Sequence, residues 1–397
     1  MRSVATAHYP YLIVGGGMTA DAAVRGIREL DADRSIGLIG AEADPPYARP
    51  PLSKALWKGE PIASVWRKTS EVGVELHLGR RATGLDIRVK KVVDDRGAEY
   101  SFDTLLLATG GSPRRLPFGG DQVLYFRTLD DYRRLRALAE AGKSFAVIGG
   151  GFIGSEIAAA LALQGCKVTL LFPEEGIGAR LFPADLARFL VDYYRERGVE
   201  PRPGQQVTGV TRSGSQVVVE TSSGLHLTAD AVVAGLGIMP NTELAEAAGL
   251  AVEDGVVVDG HLRTSHPDVL AAGDVARFTS PALGTRVRVE HEDNAVTMGR
   301  AAGRAMAGDP SPYTHLPFFY SDLFDLGYEA VGALDPRAET VADWKEPLRE
   351  GVVYYLAAGR VRGVLLWNTW GQVDAARDLI GQPGPFRAAD LVGRLPS

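Results

Sequence analysis

Tyr11-Leu-Ile-Val-Gly15-Gly16-Gly17-Met-Thr-Ala20 and Phe145-Ala-Val-Ile-Gly149-Gly150-Gly151-Phe-Ile-Gly154 decide the fold of this chain. Each is an apolar run of strand length that breaks into Gly-x-Gly-x-x-Ala or Gly-x-Gly-x-x-Gly and then into a helix-forming stretch. The three small residues serve different ends. The first permits a tight turn, the second lets backbone amides approach a ligand, and the third lets helix pack on strand. The bare amides of the helix's first turn then make an anion site suited to a pyrophosphate. One such turn is weak evidence, because ordinary strands also end in glycine. Two, each opening an αβ unit, point to two dinucleotides on one chain, and so to a flavoprotein that draws on a nicotinamide.

Outward from these turns the pattern is regular. The first unit reads as strand 11–14, helix 18–30, strand 35–40, a Pro-rich segment 45–51 and a later strand Thr104-Leu-Leu-Leu-Ala-Thr-Gly110. The second reads as strand 145–148, helix 152–164 and strand 167–172. An amphipathic helix 183–197 ending at Gly198 follows, then alternating strands 207–211 and 216–221, and Ala231-Val-Val-Ala-Gly-Leu-Gly237. Asp268-Val-Leu-Ala-Ala-Gly-Asp274 is a further buried strand, read as returning to the first unit, which makes that domain discontinuous. Beyond about residue 317 the texture turns aromatic and strand-like, as a small α+β domain would be.

Bulk properties narrow the function. The 397 residues suffice for two or three cores, and 45% hydrophobic with 23% charged residues is ordinary for a soluble globular protein. No apolar run approaches the ~20 residues of a membrane span, and the first strand begins too early for a signal peptide, so cytoplasm is the expected location. A net charge of −6 argues against a nucleic-acid footprint. The clusters Arg114-Arg115 and Arg133-Arg134-x-Arg136 read as solvated faces, or as docking points for an acidic partner. Cys166 is the single cysteine, which rules out an intramolecular disulfide, a Cys-x-x-Cys pair and a multi-cysteine metal site. No metal is expected.

More specific segments then single out a family. Pro46-Tyr-Ala-Arg-Pro-Pro-Leu-Ser-Lys54, Ala108-Thr-Gly110, Gly149 through Glu156, Gly237-Ile-Met-Pro-Asn241, Gly273-Asp274 and Val289-Glu-His-Glu-Asp-Asn294 resemble the ferredoxin-reductase and apoptosis-inducing-factor flavoproteins. The resemblance spans essentially the whole chain. Leu171-Phe-Pro-Glu-Glu175, Val289-Glu-His291 and Gly363-Val-Leu-Leu-Trp-Asn368 look closer to the apoptosis-inducing factors, in a compact form without the long C-terminal insertion of the animal members. It implies an α/β fold: two Rossmann-like dinucleotide-binding domains plus a small α+β C-terminal domain. The expected boundaries are 1–114 and 241–316 for FAD, 115–240 for NAD and 317–397 for the C-terminal domain.

In the FAD half, Gly15 makes the tight bend, Gly17 lets backbone amides approach the pyrophosphate and Ala20 lets helix pack on strand, and by resemblance Ala108, Thr109 and Gly110 also bind FAD. Glu42, one residue beyond the usual acidic position at Ala41, is the candidate for ribose hydroxyls, or else a solvated loop acid. The prolines at 45, 46, 50 and 51 stiffen a loop carrying two cations. By resemblance Arg49 neighbours the FAD phosphates and Lys54 reaches the isoalloxazine; a surface salt bridge is the plainer reading of Lys54. Asp274 ends a strand where it can accept from ribitol hydroxyls. A helix over 290–305 aims its positive end at the flavin, with Glu290 and His291 near its start, His291 as a proton donor or simply a packed ring. Tyr320, in Phe318-Phe-Tyr-Ser-Asp322, stands where a tryptophan is usual, edging the flavin.

In the NAD half, Gly149, Gly151 and Gly154 hold the pyrophosphate and Gly237 lets the nicotinamide approach backbone. Phe172 fills the usual acidic place, and Glu174 is the ribose ligand, favouring NADH over NADPH; Arg180 nearby is able to accept a 2′-phosphate. Glu156 pairs by resemblance with Lys54, against the blander role of a helix N-terminal charge worth ~0.3–1 kcal/mol. Phe152 shields the flavin, or is ordinary core. The implied activity is hydride transfer from NADH to FAD and electron delivery to an iron–sulfur carrier such as a ferredoxin or rubredoxin. The alternative is a slow NADH-sensing flavoprotein with a long-lived reduced-flavin/NAD charge-transfer complex. A monomer or an NADH-dependent homodimer is expected, with no nucleic-acid or membrane partner.

Overall fold

The computed structural model describes residues 6–395. The chain divides into two compact units. Met1–Arg49, Ile62–Ser112 and Met239–Pro317 form the first, and Pro50–Pro61, Pro113–Ile238 and Phe318–Ser397 form the second.

In the first unit, strand Thr6–Val14 is central to a seven-stranded sheet. It pairs in parallel with Ile36–Gly40 on one side and Glu99–Leu107 on the other. Glu75–Leu78 extends one edge, and Val269–Ala271 pairs in parallel with the end of Glu99–Leu107. Strand order reverses at Thr6–Val14, and the first glycine turn leaves the carboxyl end of that strand, where open α/β sheets bind ligands. Leu12, Ile13, Leu38, Leu105, Leu106 and Val269 are buried, which explains near-continuous apolar runs in place of alternation.

The strand begins at Thr6, earlier than expected, because Pro10 does not end it. The parallel register pairs Tyr9 with Phe102 and Tyr11 with Thr104, passing over the proline. Helices Met18–Arg28 and Glu292–Met306 cross backbone to backbone. A Cβ on Gly303 would lie 2.0 Å from the Ala23 carbonyl oxygen, one on Gly26 2.2 Å from that of Arg300, and one on Gly299 2.4 Å from that of Thr19. The later helix starts two residues beyond the expected 290, since His291 is its extended N-cap.

The second unit holds a five-stranded parallel sheet in the order Val199–Arg202, Val168–Leu171, Phe145–Ile148, Ala231–Ala234, Val123–Tyr125. Here too order reverses at the strand that feeds the glycine turn. Helices Leu129–Glu140, Phe152–Leu163 and Ala184–Glu196 accompany it, with an antiparallel insert of Val207–Ser213, Gln216–Thr221 and His226–Ala229. The C-terminal part is a five-stranded antiparallel sheet, Phe318–Leu323, Leu326–Gly332, Arg360–Trp367, Glu350–Ala357 and Glu339–Glu346. The fold is therefore α/β, with two Rossmann-like sheets, the first carrying an antiparallel edge of Lys91–Asp94 and Ala82–Asp86, and an antiparallel C-terminal sheet. Among the described residues no helix is long and apolar enough to cross a membrane.

Candidate functional site

In the first unit the first glycine turn packs directly on Ala108. Gly15 has φ +133°, and a Cβ there would lie 2.0 Å from the Ala108 carbonyl oxygen, so turn and neighbour both exclude a side chain. At Gly17 an added Cβ would meet nothing within 4 Å, and helix Met18–Arg28 opens there with no side chain capping its amides. That open cradle fits a pyrophosphate. Ala20 is buried, as close helix packing requires. Thr109 and Gly110 are tied to Asn241: Thr109 Oγ1 donates to its carbonyl at 2.8 Å, and its own amide donates to Gly110 at 3.0 Å.

Glu42 and Arg49 meet each other. Arg49 Nη2 donates to Glu42 Oε1 at 2.6 Å, and Tyr47 Oη donates to Glu42 Oε2 at 2.5 Å while accepting from Arg49 Nη1 at 3.0 Å. Burial opposes the Arg49 charge, but Glu42, Tyr47 and Asp274 more than offset it and hold its pKa above the ordinary arginine value. Asp274 lies buried in the short turn Gly273–Val275. Arg288 donates to its carbonyl at 3.2 Å and lies 2.6 Å from Glu290 Oε1. Asp21, next to Ala20, escaped the sequence reading because an acid in a first helical turn passes for a dipole charge. It is fully buried and accepts from Arg25, Arg67 and Thr69, the last two at 2.7 Å.

In the second unit the turn repeats. Gly149 has φ +113°, a Cβ on Gly154 would lie 1.8 Å from the Gly149 carbonyl oxygen, and one on Gly151 would meet nothing within 4 Å. Gly237 has φ +80°, and its carbonyl accepts from the Arg114 amide at 2.9 Å. Glu174 is held by Arg180, whose Nε donates to Oε1 at 2.8 Å.

The densest chemistry in this unit surrounds Glu156, on the first turn of helix Phe152–Leu163. Its side chain is 3% exposed, and Lys54 Nζ, 12% exposed, donates to Oε1 at 2.6 Å. Ser321 Oγ donates to the same oxygen and Ser53 Oγ to Oε2, each at 2.5 Å. Three donors from two segments, Ser53-Lys54 and Ser321, thus converge on one carboxylate, and each of its oxygens accepts at least one strong hydrogen bond. Lys54 Nζ also stands 5.4 Å from the centre of the Tyr320 ring, within cation–π range. Phe152 contacts Phe319 edge-on at 5.4 Å. Burial first, then the Glu156 charge, pushes the Tyr328 hydroxyl well above the ordinary tyrosine value and keeps it protonated. The pairing of Lys54 with Glu156 agrees with the sequence reading. The serines were missed, although Ser53 lies inside the Pro-rich motif and Ser321 is the polar residue on a strand face otherwise given to Phe319 and Leu323.

The sequence profile of the pyridine nucleotide-disulphide oxidoreductases matches residues 9–299, and that of the mitochondrion-associated C-terminal part of apoptosis-inducing factor matches 302–350. Apoptosis-inducing factor 1, mitochondrial, of Dictyostelium discoideum is 34% identical, over 94% of this chain and 78% of its own length. The ferredoxin–NAD(+) reductase component of the anthranilate 1,2-dioxygenase system of Burkholderia cepacia is 35% identical, over 96% of this chain and 97% of its own. Among solved structures, the reductase in the covalent putidaredoxin reductase–putidaredoxin complex superposes with a TM-score of 0.88 at 32% identity, covering 94% of this chain and 93% of that one.

Proposed function

We propose, from the premise that this chain belongs to the pyridine nucleotide-disulphide oxidoreductase family, that it is an FAD-dependent NADH oxidoreductase serving a one-electron carrier of the ferredoxin or rubredoxin class. The observation that carries this reading is the buried Lys54–Glu156 pair. Bound FAD supplies a two-electron acceptor that releases electrons singly.

The residues of the chain have defined tasks in that scheme. Gly15, Gly17 and Ala20 open the first cradle, and Gly149, Gly151 and Gly154 the second. Arg49, kept charged by Glu42, neutralises phosphate, and Asp274 accepts from ribitol. Glu156, itself held by Ser53 and Ser321, fixes the Lys54 ammonium in a water-poor setting, where a positive charge stabilises negative charge developing beside it. Tyr320 and Phe152 supply flat apolar surface, and Glu174 accepts from a ribose hydroxyl, which favours NADH. With one cysteine in the sequence, the chemistry omits the redox-active disulfide for which the family is named. We assign 1–114 and 241–316 to FAD binding, 115–240 to NAD binding and 317–397 to the C-terminal domain; the pairing of Val269–Ala271 with Glu99–Leu107 supports the discontinuous first assignment.

The match of residues 302–350 to the apoptosis-inducing-factor C-terminal profile favours one second reading, a slow NADH sensor. An anaerobic visible spectrum with one equivalent of NADH, then of NADPH, followed by air, separates the two. Rapid bleaching by NADH and fast recovery in air identify the turnover enzyme. Slow bleaching with a broad long-wavelength band that persists in air identifies the sensor. A protein that acquires no flavin absorbance even with added FAD refutes both.

A further inference from the structure

The loop that follows strand Val168–Leu171 holds a charge pair bearing on which nicotinamide dinucleotide is accepted. Two guanidinium nitrogens of Arg180, Nε at 2.8 Å and Nη2 at 2.7 Å, converge on one oxygen of Glu174, Oε1. The other oxygen, Oε2, has no hydrogen-bond partner among the described residues. Arg180 is 82% exposed and Glu174 25%.

Backbone bonds pin this loop to the second glycine turn on one side and to residues 204–205 on the other. Gly178 N donates to the Gly150 carbonyl at 2.8 Å, Gly204 N to that of Glu174 at 3.1 Å, and Gln205 N to that of Phe172 at 2.9 Å. Phe172 is fully buried, and a Cβ on Gly150 would lie 2.9 Å from its ring, so the position that could have carried an acid carries packing. The charges left along the loop are Glu174, Glu175 and Arg180.

We infer that Arg180 is a specificity-determining residue that works against Glu174, so that this chain accepts NADPH as well as NADH, with NADH only moderately preferred. The inference rests on the proposal that the second glycine turn holds a nicotinamide dinucleotide. Glu174 has one free oxygen for a 2′-hydroxyl, and its charge repels a 2′-phosphate. Arg180 is anchored beside it by an exposed ion pair, of a class worth at most about 1 kcal/mol, so it leaves Glu174 at little cost. A phosphate then offers the guanidinium a better, two-pronged acceptor. Glu174 thus both selects for NADH and stores the group that tolerates NADPH.

Calorimetric titration of the FAD-loaded protein with ADP-ribose and 2′-phospho-ADP-ribose, which are redox-silent probes, tests this. In the wild type ADP-ribose binds more tightly by no more than about tenfold. Arg180→Ala weakens 2′-phospho-ADP-ribose at least about tenfold and changes ADP-ribose less than about twofold. Glu174→Gln, which releases the arginine, tightens the phosphorylated probe and weakens the plain one. If Arg180→Ala shifts both probes equally, or neither, the inference is overturned while the second-site reading stands. If neither probe binds the wild type, the second-site reading falls and takes the inference with it.

Discussion

Lys54 and Glu156 are most instructive as single residues, because each is costly without the other. Lys54→Ala leaves a buried carboxylate with two hydroxyl donors, a loss of roughly 2–3 kcal/mol, less than for a wholly unpaired charge. We expect this variant and Glu156→Ala to slow flavin reduction by NADH at least about tenfold, since in the proposed scheme the charge that stabilises the reduced flavin is lost or loses its anchor. Both should retain FAD, because the phosphate cradle proposed at Gly15–Gly17 does not include either residue. Stopped-flow reduction at the wild-type rate in both would remove the pair from the mechanism. The two charged partners were legible because each sits in a short dense motif, one after four prolines and one after a glycine turn. Ser321 was not, since it reaches Glu156 across 165 positions and nothing local marks it. Glu42 was read as a ribose ligand from its place after a strand, whereas its bond to Arg49 depends on how the Pro-rich loop returns.

At the level of elements, apolar runs ending in glycine located both central strands and both glycine-turn helices to within a few residues. The crossing of Met18–Arg28 with Glu292–Met306 stayed hidden, because glycines inside a helix read as weakness. Here Gly26, Gly299 and Gly303 let two backbones touch. In an isolated helix Gly→Ala is stabilising by about 1 kcal/mol. At Gly303 the new methyl would meet the Ala23 carbonyl at 2.0 Å, so the helices must part. We therefore expect Gly303→Ala to destabilise the protein by about 1–3 kcal/mol and to weaken FAD retention, read by urea unfolding and by flavin content after gel filtration. A more stable variant would show that the helices separate freely. Pro10 taught the converse lesson, since a residue that ordinarily ends a strand is carried through where the ladder needs no amide from it.

For the molecule as a whole, stability against pH integrates groups that no motif announces. Burial holds the His77 imidazole below its usual 6.5, against the pull of the Glu75 carboxylate. The unfolded chain therefore takes up this proton first, and stability falls as pH drops through that range. Burial works against ionisation of Asp21, yet Arg25, Arg67 and Thr69 outweigh it and bring its carboxyl below the usual 3.8. Its contribution is complete above that value and is lost only as pH falls through the lower, folded one. Two separate declines are expected. The first, measured as a fall in urea midpoint between pH about 7.5 and about 5.5, should shrink in His77→Gln; an unchanged fall would clear His77. Each compact unit also draws on three stretches, joined at 49/50, 61/62, 112/113, 238/239 and 317/318. A ribosome delivers those stretches strictly in order. Helix Met18–Arg28 must therefore wait, glycine seam unpartnered, until Glu292–Met306 emerges, so the nascent chain carries that unpaired surface through most of its synthesis. No single cut in the gene releases either half intact; isolating one demands that its three pieces be respliced.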